Sequence, residues 1–225
     1  MKRIACLVTS WGLALILLAG PAVVASTPPP ASLSAPAPAP KAPAAAAGWA
    51  FTAFLLAADP TVGPALRDGL RSPVGDAAMS AVTLFGEGPG VAATLAALCL
   101  SGETETATEA VASAAYAGVL TTVAKWAVGR GRPDSDAPNS VHYLAGRPGY
   151  DSFPSGHTAT AFALARVLAR RYPDRSRLFY ALAGLVGLSR VYLNRHYPGD
   201  VAAGALVGLY AADQAGSLPV LRLSF

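Results

Sequence analysis

The chain has 225 residues, of which 53% are hydrophobic and only 13% are charged, and its formal net charge is +4. This length allows one domain with a substantial core. The basic residues are mostly arginines in short loops and form no stripe interleaved with aromatic residues, so we expect no nucleic-acid partner. The two cysteines, Cys6 and Cys99, form no cluster with histidines, and we expect no metal site.

The first part of the chain has the pattern of a secretory leader, residues 1–25. Two basic residues precede an apolar run, and small residues precede Ser26, where cleavage is expected. An uncleaved membrane anchor is the alternative, and both interpretations predict export to the bacterial cell envelope. Residues 26–47 are rich in proline and alanine and predict an extended linker before a domain of residues 48–225.

Apolar segments separated by clusters of glycine, proline and charge follow the linker. They cover residues 49–58, 77–85, 91–100, 108–128, 157–171, 178–193 and 201–213. No alternating strand pattern is present, so the sequence predicts an all-α domain. The pair Asp59-Pro60 is expected to end the first segment, because proline disrupts helix interiors.

The charge-free windows in this domain are each shorter than the roughly 20 residues that a membrane-spanning helix needs. This favours a periplasmic or peripheral exported domain. An integral inner-membrane protein is the alternative, because the arginines between residues 166 and 177 resemble a cytoplasmic loop under the positive-inside rule.

The first motif is Lys125 followed by a glycine-rich turn that carries Arg130, Arg132 and Pro133. A guanidinium fork and a compact ammonium both suit phosphate oxygens. A lysine at a helix end followed by a solvated basic turn would be the ordinary structural alternative.

The second motif, Pro154-Ser155-Gly156-His157, opens a predicted helix. Ser155 is a natural N-cap, and Gly156 allows an anion to approach the free N–H groups of the helix start. His157 in the first turn is then a candidate proton donor to that anion. An ordinary capped helix with a surface histidine is the alternative.

The third motif is Arg190 followed by His196 and Asp200. The spacing lets the Asp200 carboxylate accept a hydrogen bond from one imidazole nitrogen of His196, which leaves the other nitrogen free as a nucleophile. Arg190 lies one or two helical turns earlier and is a candidate clamp for the phosphate under attack.

Lys-x6-Arg-Pro, Pro-Ser-Gly-His and Ser-Arg-x5-His-x3-Asp together resemble the motifs of the type 2 phosphatidic acid phosphatase (PAP2) superfamily, from Lys125 to Asp200. That superfamily includes bacterial acid phosphatases, lipid phosphate phosphatases and vanadium haloperoxidases. The resemblance implies an α-helical bundle and a metal-independent phosphatase without a cofactor.

The resemblance also implies a role for each motif residue. His196 would attack phosphorus to form a phosphohistidine, Asp200 would orient it, and His157 would protonate the leaving alkoxide. The phosphate oxygens would be held by Lys125, Arg132, Arg190 and the Ser155-Gly156 backbone.

The motifs do not determine the substrate. A lipid phosphate or isoprenyl pyrophosphate fits the apolar composition, and a soluble phosphate monoester fits an exported, peripheral domain. A vanadium-dependent haloperoxidase, in which the same pocket holds vanadate, is a third interpretation. The sequence gives no indication of the oligomeric state.

Overall fold

The computed structural model describes residues 42–144 and 149–216, and these residues form seven α-helices. Short connections join them, except for the long loop between the fourth and fifth helices. The helices are α1 (Ala42–Leu70), α2 (Pro73–Thr83), α3 (Gly88–Leu100), α4 (Thr104–Val128), α5 (Gly156–Arg171), α6 (Ser176–Tyr192) and α7 (Pro198–Ala215). Two 3-10 turns cover Leu84–Gly86 and Pro173–Arg175. The described residues contain no β-strand, and the predicted all-α class is confirmed.

Helix α1 differs from the prediction at its start and in its length. It begins at Ala42, inside the range assigned to the linker, because the alanine run favours a helix. It also continues through Pro60 and Pro64, so the predicted end at Asp59-Pro60 is wrong. Tertiary contacts with α7 compensate for the broken helical hydrogen bonds, since the buried Asp59 carboxylate accepts the N–H of Gly199 at 2.8 Å. The predicted leader and residues 26–41 lie outside the described residues.

The helix ends that carry the motifs are fixed by local sequence signals. Ser155 caps α5, since its hydroxyl oxygen accepts the N–H of Thr158. Gly129 ends α4 in a left-handed conformation with φ of 57°, which glycine adopts without strain. Pro198 stands at the start of α7, where its missing N–H costs nothing.

Helix α5 lies at the centre of the bundle and packs against α4, α6 and α7. The core between these helices is built largely from alanines, including Ala110, Ala117, Ala159, Ala163 and Ala211. Glycines of α7 bring the two backbones together, because a Cβ at Gly204 would lie 2.5 Å from the carbonyl oxygen of Ser155. This close approach places the start of α7 beside the start of α5.

Two helices are long and apolar enough to cross a membrane, α1 over Ala45–Leu70 and α4 over Thr104–Val128, and most of their surface is not buried in the protein. Helices α2 and α3, bent by 58°, form a third candidate span. The charge-free windows in the sequence underestimate the length of these helices, because each helix continues past the charged residues at the ends of its window. The exposed large side chains on α1 and α4 include Trp49, Phe51, Phe54, Val111, Val119, Val123 and Trp126.

The end of the bundle opposite the motifs is rich in ion pairs. Arg171 binds the Glu103 carboxylate with two guanidinium nitrogens, and Arg170 contacts Glu109 and Asp213. Arg171 lies 14 positions after His157 in α5, which is about 21 Å at 1.5 Å per residue. The arginine cluster and the motif residues therefore occupy opposite ends of the bundle.

Candidate active site

The motif residues converge where α4, α5, α6 and α7 begin or end. Lys125 and Arg132 both lie close enough to act electrostatically on His196. Lys125 and Arg190 act in the same way on His157. The structure thus brings both imidazoles and the three motif cations to one end of the bundle.

His196 is 2% exposed, and its Nδ1 lies 2.7 Å from the carbonyl oxygen of Ser152 and 3.7 Å from Oδ2 of Asp200. The sequence predicts that Asp200 accepts the hydrogen bond, whereas the shorter contact is to Ser152. A carbonyl only accepts, so Nδ1 carries the proton and Nε2 keeps its lone pair. Burial lowers the pKa of His196 to about 4, although Asp200 opposes this effect. The imidazole is therefore neutral at neutral pH, as a nucleophile must be.

The Asp200 carboxylate is fully buried and saturated with donors. Oδ2 accepts the Ser152 hydroxyl at 2.5 Å and the N–H of Tyr197 at 3.0 Å, and Oδ1 accepts Nη1 of Arg130 at 2.6 Å. Burial raises the pKa of Asp200, but the contacts with His196 and Arg130 outweigh it and hold the pKa below its ordinary value. Asp200 is thus a fixed negative charge beside His196.

Arg130 lies between two buried carboxylates. Its Nη1 is 2.6 Å from Asp200 and 2.9 Å from Oδ2 of Asp59, and its Nε and Nη2 donate to Oδ1 of Asn139 at 2.9 and 2.5 Å. The guanidinium also stacks over the ring of Tyr197, 4.3 Å from its centroid. Arg130 therefore neutralises both carboxylates, and through Asp59 it connects α1 to Asp200, the residue beside the candidate nucleophile.

Lys125 and Arg132 share a partner, Asp151. The ammonium of Lys125 donates to the backbone carbonyl of Asp151, and Arg132 binds its carboxylate with Nε and Nη2 at 2.7 and 2.6 Å. Burial raises the pKa of Asp151, but the charges of Arg132 and Lys125 prevail and lower it. The two expected phosphate-binding cations are thus held together by one acidic residue, which lies just before the second motif.

Arg190 is 7% exposed, and its Nη1 donates to Oγ1 of Thr83 at 2.6 Å. Its Nε is buried and has no hydrogen-bond partner among the described residues. Burial lowers the pKa of Arg190, and the like charges of Arg132 and Arg195 add to the effect. Such a buried donor in a cationic environment suits an anionic ligand.

At the start of α5, Ser155 is less available for binding phosphate than the motif implies. Its hydroxyl is used in the cap with Thr158, and its own N–H donates to the carbonyl of Asp200 at 2.9 Å. A Cβ at Gly156 would still lie 4.0 Å from Cε of Lys125, so the first turn passes beside the lysine without crowding. The N–H groups of Gly156 and His157 have no acceptor within the helix, whereas that of Thr158 is used by the Ser155 cap.

His157 has a carboxylate partner that the sequence analysis missed. Its Nε2 lies 2.7 Å from Oε1 of Glu87, which stands in the turn between α2 and α3. Burial lowers the pKa of His157 and Arg190 adds to this effect, while Glu87 raises it.

The residues that sequence analysis did not identify are Asp59, Thr83, Glu87, Arg130 as a buried ion-pair partner, and Ser152. Arg130 and Ser152 lie within or beside the motifs, and their proximity to motif residues was the available signal. Asp59, Thr83 and Glu87 lie far away in the sequence, and no local pattern connects them with the motifs.

Comparisons with known proteins agree with this architecture. Residues 106–213 match the model of the PAP2 superfamily. Over 103 residues the chain is 38% identical to a lipid A 1-phosphatase of Porphyromonas gingivalis. This alignment covers 44% of the present chain and 20% of that relative. The chain therefore spans about a fifth of that relative's length.

Two crystal structures share the fold. LpxE of Aquifex aeolicus superposes with a TM-score of 0.61 at 25% identity, over 71% of this chain and 95% of that one. The transmembrane PAP2-type phosphatidylglycerolphosphate phosphatase of Bacillus subtilis superposes with a TM-score of 0.56 at 23% identity, over 80% and 98%. The resemblance based on the motifs and the predicted helical bundle are confirmed. The two long apolar helices point to membrane association.

Proposed function

We propose that this chain, whose residues 106–213 belong to the PAP2 superfamily, is a phosphatase that hydrolyses phosphate monoesters of lipids. The observation that carries the proposal is the convergence of His157, His196, Lys125, Arg132 and Arg190 at one end of the helical bundle. Phosphoryl transfer requires mainly positioning and stabilisation of the developing charge. Three fixed cations provide that charge without a metal ion.

The proposed reaction has two steps, each with one histidine in an established chemical role. Nε2 of His196 attacks phosphorus, the bond from phosphorus to the lipid oxygen breaks, and His157 gives its proton to that oxygen. A water then attacks phosphorus of the phosphohistidine and gives a proton to His157. The bond from phosphorus to Nε2 of His196 breaks, and inorganic phosphate leaves. Ser152 and Asp200 support the nucleophile throughout, because they fix its tautomer and stabilise the positive charge that develops on the ring.

The three cations have different starting states. The buried Nε–H of Arg190 has no acceptor among the described residues, and it gains one when a phosphate oxygen arrives. Lys125 and Arg132 start in contact with Asp151, and we infer that phosphate joins or replaces these contacts.

A lipid substrate is supported by the exposed apolar faces of α1 and α4, the two helices that bring Asp59 and Lys125 to the candidate site. It is also supported by the similarity to a lipid A 1-phosphatase. The arginines of the opposite end, at residues 170, 171, 175 and 177, favour the cytoplasmic side under the positive-inside rule. The catalytic end would then face the exported side of an integral inner-membrane protein.

Fractionation tests this topology. We expect the full chain to remain in the membrane pellet after washes with high salt and alkaline carbonate, and to be released by detergent, because α1 and α4 expose long apolar surfaces. Release with the soluble periplasmic contents would contradict the integral arrangement and would favour soluble monoesters as substrates.

Phosphate release from purified protein tests the activity and the substrate class. We expect turnover of a lipid A 1-phosphate or phosphatidic acid in mixed micelles to exceed that of p-nitrophenyl phosphate in kcat/KM, to survive EDTA, and to be inhibited by vanadate. Complete loss of turnover with EDTA would contradict the metal-independent mechanism. Peroxide-dependent bromide oxidation with added vanadate would favour the haloperoxidase instead.

A further inference from the structure

We propose that Glu87 is a positioning residue that holds Nε2 of His157 and keeps this imidazole in its charged form, so that Nδ1 exchanges the proton with substrate and water. The inference rests on the proposed function of His157 as the general acid. It starts from the 2.7 Å contact between Oε1 of Glu87 and Nε2 of His157, two residues that are 70 positions apart in the sequence.

The fold places Glu87 at this point by a bend between two helices. The chain changes direction by 58° between α2 with its following 3-10 turn and α3, and Glu87 stands at this bend. A Cβ at Gly86 would lie 2.7 Å from the carbonyl oxygen of His157, and one at Gly90 would lie 2.4 Å from the carbonyl oxygen of Leu84. The two glycines therefore allow the turn to fold tightly and to press against the first turn of α5.

A second contact joins the same turn to the candidate site. Thr83, at the end of α2, accepts Nη1 of Arg190 at 2.6 Å. The turn thus contacts both a candidate phosphate ligand and the candidate acid, although it lies outside the three motifs. The glycine-rich segment thus separates two helices and also positions the side chains of His157 and Arg190.

The charged groups that act on His157 come from three elements: Glu87 from the turn, Arg190 from α6 and Lys125 from α4. The two cations disfavour the imidazolium, as burial does, and Glu87 is the anion that opposes them. In the first proposed step Glu87 keeps the donor protonated. In the second step its charge stabilises the imidazolium that forms when His157 takes a proton from water.

The pH dependence of the wild-type enzyme follows from the two histidines. Activity requires neutral His196, whose pKa is about 4, and charged His157, whose pKa lies below its ordinary value because of burial and Arg190. We therefore expect kcat/KM to rise above about pH 4 and to fall before about pH 6.5, which is the ordinary pKa of histidine. The optimum is expected to be mildly acidic.

Glu87→Gln removes the anion and should lower the pKa of His157 further. The alkaline limb of the kcat/KM profile should then move to lower pH by about half a unit or more, with a larger loss of activity at pH 7 than at pH 5. Glu87→Asp keeps the charge and should retain an alkaline limb close to that of the wild type. Glu105→Gln is the matched control, since Glu105 is exposed in the first turn of α4.

The experiment uses the full chain in detergent, with p-nitrophenyl phosphate and the preferred lipid as substrates and thermal unfolding measured for each variant. In a His157→Asn background, Glu87→Gln should cause no further loss of kcat. An unchanged alkaline limb in active Glu87→Gln protein would overturn the role of Glu87. So would a Glu87→Gln substitution that lowers kcat by the same factor in the His157→Asn background as in the wild type. Wild-type protein that releases no phosphate from any substrate would instead overturn the proposed function itself.

Discussion

His196→Ala should abolish turnover, with kcat reduced on the order of 10⁴-fold or more, which is typical for loss of a covalent nucleophile. The reason is geometric as well as chemical. His196 is buried, its Nδ1 is held by the Ser152 carbonyl, and its pKa of about 4 keeps Nε2 unprotonated at the pH of the assay.

The measurement is phosphate release under saturating substrate, together with binding of vanadate by the inactive variant. The matched control is His142→Ala, because His142 is exposed in the loop between α4 and α5 and stacks edge-on against Tyr150. The control should retain wild-type kcat. A His196→Ala protein that is folded and keeps more than about a tenth of the wild-type kcat would contradict the assignment of the nucleophile.

Arg130→Met should destabilise the fold by about 3–5 kcal/mol, the usual cost of leaving a buried charge without its partner. The substitution preserves much of the side-chain length but leaves Asp59 and Asp200, both fully buried, without the guanidinium between them. Two neighbouring carboxylates then face each other in a site that excludes water.

Thermal unfolding in detergent measures this effect, and two further variants make it specific. Arg195→Met removes an exposed pair with Asp134, which lies 2.6 Å away, and should cost less than about 1 kcal/mol. Asp59→Asn combined with Arg130→Met should recover part of the stability, because it removes one of the two unpaired charges. Equal small losses for Arg130→Met and Arg195→Met would show that the buried ion cluster is not important for stability.

Much of the fold could be predicted from the sequence because its signals are local. The apolar segments, the Ser155 cap and Pro198 at the start of α7 each act within one or two helical turns, and the structure places helices accordingly. The three motifs likewise lie beside helix ends, which is why their residues could be grouped before their positions were known.

The parts that could not be predicted depend on tertiary contacts. Asp59-Pro60 has the local pattern of a helix end, yet α1 continues because Asp59 binds Arg130 and the N–H of Gly199. Glu87 has the local pattern of a solvated residue in a glycine-rich break, and only the packing of that turn against α5 brings it to His157. The orientation of His196 by the Ser152 carbonyl is also a long-range contact, since 44 residues separate the pair.

The central claim is that His196 carries the phosphoryl group between the two half-reactions. It is tested most directly by rapid quenching of the enzyme with a substrate labelled in its phosphate, under alkaline conditions in which phosphohistidine survives, followed by peptide mapping. We predict one labelled peptide, with the phosphate on His196, and no label in His196→Ala. Label on a different residue, or an active enzyme that never becomes labelled while it turns over, would contradict the claim.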